Sequence, residues 1–311
     1  EQILLARAEL RDRLQDKAIA PLVELFDRER YNTNLTVGEN LLFGTPVEDS
    51  LNTLALHTND YVRKVLYESD LMNDFLGIGR SVAELMVELF ADVPADSELF
   101  EQFSFISADD LPEFRAMLGR TEAGKTEGLM AEDRTMMLSL PFKLNVARHR
   151  LGLIDDDMQR RILEARRLFA TGFTEGPPNV EFYDSDSYSA KGSIQDNILF
   201  GRLAYGRARS AQRIGALISE VVDKLELREE IMHAGLDFNV GVSASRLSSA
   251  QRQKLAIARC VLKRPDIMII DEATAALDNA TQLRIMDNLL EEFSERGLIW
   301  VLHRASLAEN F

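Results

Sequence analysis

The chain has 311 residues, enough for two domains or for one domain with a large insertion, and its 46% hydrophobic and 28% charged residues are typical of a globular protein. Its formal net charge of -15 disfavours nucleic acid and anionic membrane surfaces as direct partners, because an acidic surface repels both. The single cysteine, Cys260, excludes an internal disulfide, and its apolar neighbours predict a buried structural thiol in a reducing compartment. No apolar run approaches the roughly 20 residues that span a bilayer. A start at Glu1 instead of methionine predicts a piece of a longer polypeptide.

Helical periodicity dominates the first half of the chain. Apolar residues at helical spacing predict a helix over residues 1–28 and further helices through much of 48–175. The clearest of these follows Asp155–Asp157, whose carboxylates favour a helix start. Gly176-Pro-Pro178 ends this pattern, and short β-like runs follow. We therefore predict a mainly α-helical accessory or inserted domain over residues 1–176 and an α/β domain over residues 177–311.

A nine-residue phrase occurs twice. Thr36-Val-Gly-Glu-Asn-Leu-Leu-Phe-Gly44 matches Ser193-Ile-Gln-Asp-Asn-Ile-Leu-Phe-Gly201, with four identical and four conservative positions. Two short amphipathic turns can coincide by chance. The better interpretation is a partial duplication, or an insertion that copied this element.

Three chemical motifs follow one another near the carboxyl end. A serine-rich turn at Ser248 opens a helix, whose free amides and dipole favour an anion. The apolar run of residues 267–270 predicts a buried parallel strand that delivers Asp271 and Glu272 at its carboxyl end, where α/β sheets place their ligands. A second predicted strand, residues 298–302, ends at His303.

This series resembles the signature, Walker B, D-loop and switch-histidine segments of ATP-binding cassette (ABC) ATPases, and it is closest to exporter-type cassettes. The resemblance is strong from Gly235 to His303 and covers less than half of the chain. It implies that residues 177–311 form the later part of a P-loop NTPase domain with parallel strands. It also implies ATP and Mg²⁺ as cofactors, and ATP hydrolysis that drives transmembrane transport.

The resemblance also implies roles for single residues at the signature turn. Ser248 donates its hydroxyl, and Ser249 and Ala250 their backbone amides, to the γ-phosphate of an ATP held mainly by the opposite subunit. Gln251 orients the turn. The family pattern is Leu-Ser-Gly-Gly-Gln, so the side chains of Ser249 and Ala250 hinder close approach to phosphate.

Four residues after the signature complete the implied site. Asp271 holds Mg²⁺, Glu272 polarises the attacking water, and His303 contacts the γ-phosphate. Asp278 closes the D-loop, which crosses the interface between subunits.

Two family motifs are missing or doubtful. Ser185 or Asp186 stands where the Q-loop glutamine is expected. Gly119-Arg-Thr-Glu-Ala-Gly-Lys-Thr126 fits the phosphate-loop pattern letter for letter, but residues 112–118 before it read as helix instead of strand. We interpret this match as fortuitous, and expect the fragment alone to be inactive, with the true phosphate loop upstream.

The implied partners are a transmembrane transporter domain in the same polypeptide and a second nucleotide-binding domain in a head-to-tail dimer, at the cytoplasmic face of the inner membrane. Nucleic acid is not an expected partner. Two alternatives stay open: a degenerate regulatory cassette that dimerises without hydrolysis, and a soluble ABC-type ATPase with no transport role. The altered signature and missing glutamine favour the first alternative. The exporter-like phrase and the acidic charge argue against the second.

Overall fold

The computed structural model describes residues 1–47, 51–52, 55–94, 105–120, 130–172, 180–271, 273–274 and 276–301. The helices are α1 (Gln2–Arg13), α2 (Val37–Leu42), α3 (Asp60–Glu68), α4 (Met72–Leu89), α5 (Leu111–Arg120), α6 (Ala131–Lys143), α7 (Val146–His149), α8 (Asp156–Thr171), α9 (Ile194–Leu199), α10 (Ser210–Lys224), α11 (Arg228–Leu236), α12 (Ser249–Leu262) and α13 (Asn279–Glu292). The strands are β1 (Val23–Leu25), β2 (Gly44–Pro46), β3 (Val180–Phe182), β4 (Gly201–Leu203), β5 (Ile267–Asp271) and β6 (Gly297–Val301).

The chain forms two compact units, Glu1–Ile231 and Met232–Phe311. The first holds two antiparallel strand pairs, β1–β4 and β2–β3, and the second holds the parallel pair β5–β6. Helices and strands are therefore mixed, with one small parallel sheet, as the α/β class predicts. The predicted boundary between residues 176 and 177 lies outside the described residues and stays a prediction.

The repeated phrase belongs to a longer duplicated unit within Glu1–Ile231. Val23 aligns with Val180 and Gly44 with Gly201 without a gap, so residues 23–46 form a first copy and residues 180–203 a second copy. Each copy runs from a strand through a capped helix to a second strand. The copies exchange strands: β1 pairs with β4, and β2 with β3, in equivalent registers. The preceding helices are exchanged too, because α1 packs on α9 and α8 packs on α2.

Both copies turn from helix to strand in the same way. A capping box opens each helix: Thr36 with Glu39 in the first copy and Ser193 with Asp196 in the second. The phenylalanine after each helix is left-handed, with φ of 43° in one copy and 44° in the other. A glycine follows because a Cβ on Gly44 would lie 2.6 Å from a carbonyl oxygen of the opposite copy, and a Cβ on Gly201 2.8 Å.

Aromatic rings from both copies meet at the centre of this unit. Phe26 and its equivalent Tyr183 stack with centroids 4.3 Å apart, and Phe43 and Phe200 meet them edge-on. Arg166 lies over the Phe43 ring, and Arg7 lies over the Phe200 ring. Two hydrophobic clusters flank this centre, one built mainly from residues 31–169 and the other from α1, α9 and α10.

The prediction of a helix over residues 1–28 is wrong beyond Arg13. The chain turns after α1, and Val23–Leu25 forms β1 because its partner β4 supplies the backbone hydrogen bonds. The helical prediction for 48–175 is confirmed within the described ranges. Asp155 caps α8 by accepting a hydrogen bond from the Met158 amide at 2.8 Å, in agreement with the helix start predicted at this acidic run.

In the second unit, Met268 and Ile270 of β5 lie in a hydrophobic cluster with Ile257 of α12, Leu289 of α13 and Phe293, which follows α13. The alternate β5 residues point the other way, so Ile267 is 62% and Ile269 is 68% exposed. The strand is parallel as predicted, but only one of its faces is buried. The prediction that Cys260 is buried is wrong, because this cysteine lies on an exposed face of α12.

Candidate functional site

The signature turn begins α12 with a reciprocal cap. The Gln251 amide donates to the Ser248 hydroxyl at 3.2 Å, and the Ser248 amide donates to Gln251 Oε1 at 2.8 Å. This capping box fixes the first turn of the helix.

Two amides remain available at this helix start. Among the described residues, the amides of Ser249 and Ala250 have no hydrogen-bond acceptor, since the cap satisfies Gln251 and the Ser248 carbonyl satisfies Arg252. Free amides at a helix start attract anions. The arrangement can therefore bind a phosphate oxygen, with the Cβ atoms of Ser249 and Ala250 beside it.

Sequence reasoning missed two residues that brace this turn. Arg252 donates to the Leu247 carbonyl at 2.9 Å and to Ser249 Oγ at 3.1 Å. Gln253 Oε1 accepts the amide of Ala276 at 2.9 Å, which ties the signature helix to the segment after β5. Both residues stand inside the signature helix itself, and only their three-dimensional partners reveal these contacts.

The carboxyl end of the parallel sheet carries Asp271. It is the last residue of β5, pairs in register with Val301, and has an exposed side chain. Glu272 is the first residue after β5, and His303 is the second residue after β6. Both lie outside the described residues, so their roles stay predictions. Within the described ranges, no three His, Cys, Asp or Glu side chains form a metal-binding cluster.

Asp278 begins α13 and has a structural role. Its carboxylate accepts the Thr281 amide at 2.9 Å, and this hydrogen bond is the main reason that the pKa of Asp278 lies below its usual value. The turn before it is braced by Gln282, which donates to buried Thr274 Oγ1 at 2.8 Å. Asp278 is thus held at the end of the loop that Gln253 also contacts.

The position of the missing Q-loop glutamine lies in the first unit. Arg7 of α1 donates to the carbonyl oxygens of Asp184, at 3.1 Å, and Ser185, at 2.5 Å. An arginine thus fixes the backbone at this position, while the side chains of Ser185 and Asp186 are exposed.

The phosphate-loop lookalike follows a helix. Residues 111–120 form α5, and Gly119 is part of it. A phosphate loop follows a buried strand, so this context agrees with the fortuitous interpretation. The rest of the lookalike lies outside the described residues. No described helix has the length and apolar character that a bilayer crossing requires.

Residues 152–275 match the ABC transporter family model. The ATP-dependent lipid A-core flippase of Xanthomonas euvesicatoria pv. vesicatoria is 40% identical over 121 residues, which is 38% of this chain and 19% of the flippase. The flippase of the same name from Xylella fastidiosa strain Temecula1 is 41% identical over 117 residues, 37% of this chain and 19% of that protein. The chain thus spans about a fifth of the length of these relatives. No solved structure matched it. The chain therefore carries an ABC transporter domain at residues 152–275, which confirms the family that its motifs resemble.

Proposed function

We propose that this chain is part of an exporter-type cassette that binds and hydrolyses ATP to drive transport across a membrane. The observation that carries the proposal is the second unit. There, a capped helix with two free amides and a parallel strand ending in Asp271 share one hydrophobic cluster, and Gln253 links the two segments. Helix-start amides that favour an anion and a carboxylate at a strand end are the two kinds of group that a magnesium nucleotide requires.

The signature turn faces the γ-phosphate in this proposal. Ser248 donates its hydroxyl and Ser249 and Ala250 their amides, while Gln251 maintains the turn. The nucleotide is held mainly by a second nucleotide-binding domain in a head-to-tail dimer. Asp278 lies at the loop that crosses between the two domains.

The catalytic roles fall to the ends of the two parallel strands. Asp271 suits Mg²⁺ because an exposed carboxylate oxygen at a strand end is a hard ligand. The ion would neutralise charge on the phosphate oxygens when bound. Glu272 orients the attacking water and accepts its proton, and His303 donates to the γ-phosphate.

The position in the cell follows from the proposed activity. The cassette lies at the cytoplasmic face of the membrane and works with a transmembrane domain of the same polypeptide. The named relatives are lipid A-core flippases, so a lipid is the first class of substrate to test. Residues 177–311 belong to the cassette in this proposal and residues 1–176 to the accessory part, although the family match begins earlier, at residue 152.

A degenerate, regulatory cassette is the second candidate. The Cβ atoms of Ser249 and Ala250, and the serine at position 185, are the observations in its favour. A soluble ATPase without a transport role is less favoured, since the two relatives described above are named as flippases.

The test is Glu272→Gln in the intact protein. We expect ATP turnover to fall at least a hundredfold while nucleotide binding is retained, because the amide cannot accept the proton of the attacking water. The control is Glu291→Gln, the same chemical change at an exposed position of α13. Turnover within threefold of the unchanged protein would refute the role of Glu272. Absence of turnover in the unchanged protein, with ATP binding intact, would favour the regulatory cassette.

A further inference from the structure

The described residues between β5 and α13 are fixed by both of the neighbouring helices. Gln282 of α13 donates to Thr274 Oγ1 at 2.8 Å, and both side chains are buried. On the other side, Gln253 of α12 accepts the Ala276 amide with its Oε1 at 2.9 Å. Among the described residues, no other side chain of α12 hydrogen-bonds this segment. The signature helix therefore ties the segment after β5 through one glutamine.

Gln253 lies on the side of α12 that packs against β5. Ser249, Gln253 and Ile257 are four residues apart, so they follow one side of the helix. Ile257 is buried in the hydrophobic cluster that α12 shares with β5. The free amide of Ser249 lies at the other end of this row. One side of the helix thus carries the packing contact with the strand, the hydrogen bond to the segment after it, and the start of the anion-binding turn.

The bond to Gln253 restrains an exposed point of this segment. Ala276 is exposed, whereas Thr274 and Leu277 are buried. The Leu277 amide donates to the Thr274 carbonyl at 3.1 Å, so the chain turns between these two residues. Without the acceptor on Gln253, the Ala276 amide would be left to water, and the turn would lose its direct tie to α12.

The restrained segment adjoins the proposed base of the reaction. In the sequence, Glu272 comes between Asp271, the last residue of β5, and Ala273. Its backbone therefore continues from the sheet on one side and into the tied segment on the other. A general base must lie within about 2.6–3.2 Å of the group whose proton it accepts, and a displacement of about 1 Å can cost about a hundredfold in rate.

We propose that Gln253 is a positioning residue of the reaction. By accepting the Ala276 amide, it sets the direction in which the chain leaves β5, and thereby the placement of Glu272 on the attacking water. The acceptor atom Oε1 is the group that this role requires, and Gln253 itself touches no nucleotide in it. The inference rests on the proposed ATP hydrolysis.

Two variants separate the acceptor from the rest of the side chain. Gln253→Met has a similar length but no oxygen, whereas Gln253→Glu keeps an oxygen at the same place. In the 311-residue chain, we expect the Ala276 amide to exchange with solvent about fivefold faster in Gln253→Met than in Gln253→Glu, which is the protection of one hydrogen bond. Melting temperatures should agree within a few degrees, since Gln253 is only partly buried.

The same variants test the reaction in the intact protein. Gln253→Met should lower kcat about tenfold and leave KM within about threefold, because misplacing the base affects the chemical step and not ground-state binding. Gln253→Glu should restore kcat to within about threefold of the unchanged protein, because it restores the acceptor. The control is Gln212→Met, the same chemical change at an exposed position of α10, which should change neither constant.

A double variant tests whether Gln253 acts through Glu272. In the Glu272→Gln background no base remains to be placed. Adding Gln253→Met should therefore lower the residual turnover by less than about twofold, although the same change costs about tenfold in the unchanged protein.

Each contrary result has its own meaning. Equal exchange at Ala276 in Gln253→Met and Gln253→Glu would overturn the contact. Unchanged kcat in Gln253→Met would show that the contact does not position the base, and a raised KM alone would assign Gln253 to nucleotide binding instead. A full further loss in the Glu272→Gln background would show that Gln253 acts by another route. Absence of turnover in the unchanged protein would refute the proposed function itself, and this inference with it.

Discussion

Arg166 offers a sharp test of how the two copies are held together. Arg166 is 2% exposed, and its Cζ lies 4.2 Å from the centroid of the Phe43 ring. It donates to Asn40 Oδ1 at 2.8 Å, and otherwise to carbonyl oxygens, those of Asn40, Arg28, Arg30 and Asp27, at distances from 2.6 to 3.4 Å. Burial is the main reason that the pKa of Arg166 falls to about 10, so the side chain stays charged at neutral pH.

Arg166→Lys keeps the charge but removes the planar fork. A lysine has three donors on a single atom, so at least two of the acceptors lose their partner and the stacking on Phe43 weakens. A buried acceptor without a partner costs about 1–3 kcal/mol. Because the remaining groups can relax, we expect the free energy of unfolding to fall by about 2–4 kcal/mol. Urea denaturation followed by circular dichroism measures this change.

Two further lysine substitutions serve as comparisons. Arg7 is the equivalent arginine in the other half, with bonds to Asn197, Asp184 and Ser185 and a ring contact with Phe200. Arg7→Lys should cost a similar amount. Arg160 is exposed beside Asp157, so Arg160→Lys should cost less than about 0.5 kcal/mol. If Arg166→Lys lowers the free energy of unfolding by no more than Arg160→Lys does, Arg166 does not hold the two copies together and the reasoning fails.

Three other predictions concern His149, the phosphate-loop lookalike at residues 119–126, and the signature turn. Burial is the main reason that the pKa of His149 falls to about 4. The unfolded chain therefore binds a proton at a higher pH than the folded chain, and the free energy of unfolding should fall by about 2 kcal/mol between pH 7 and pH 4. Urea unfolding of His149→Gln should lack most of this loss. Lys125→Ala in the intact protein should leave ATP affinity unchanged by calorimetry, and a loss of binding would make residues 119–126 a true phosphate loop. Replacing both Ser249 and Ala250 with glycine should strengthen ATP-dependent dimerisation in analytical ultracentrifugation, and weaker dimers would contradict the steric argument.

Local patterns predicted the helix starts and the strand ends of the site. Side chains close in sequence indicate three of these features: the cap at Ser248, the cap at Asp155 and the strand that ends at Asp271. The repeated phrase was also visible. Its extension back to Val23 and Val180 could have been found by continuing the same alignment, but three-residue strands are too short for periodicity to reveal.

Long-range partners could not be predicted. No local signal pairs β1 with β4, so the sequence favoured a long helix over residues 1–28. The exposure of Cys260 depends on what packs against α12, which its apolar neighbours do not determine. The same holds for Gln253 and Ala276, whose contact requires the turn after β5.

The exchanged strands determine the order in which parts of this protein can fold during translation. Val23 emerges from the ribosome about 180 residues before Leu203, its partner in β4. At translation rates of about 5–20 residues per second, the first strand waits roughly 10–40 seconds for that partner. The inner pair, β2 with β3, is completed earlier, so α2, β2 and residues 131–150 can pack while α1 and β1 still expose their apolar side chains. Chaperones are therefore expected to bind nascent residues 1–25, and slowing translation between residues 46 and 203 should raise aggregation more than slowing it after residue 231.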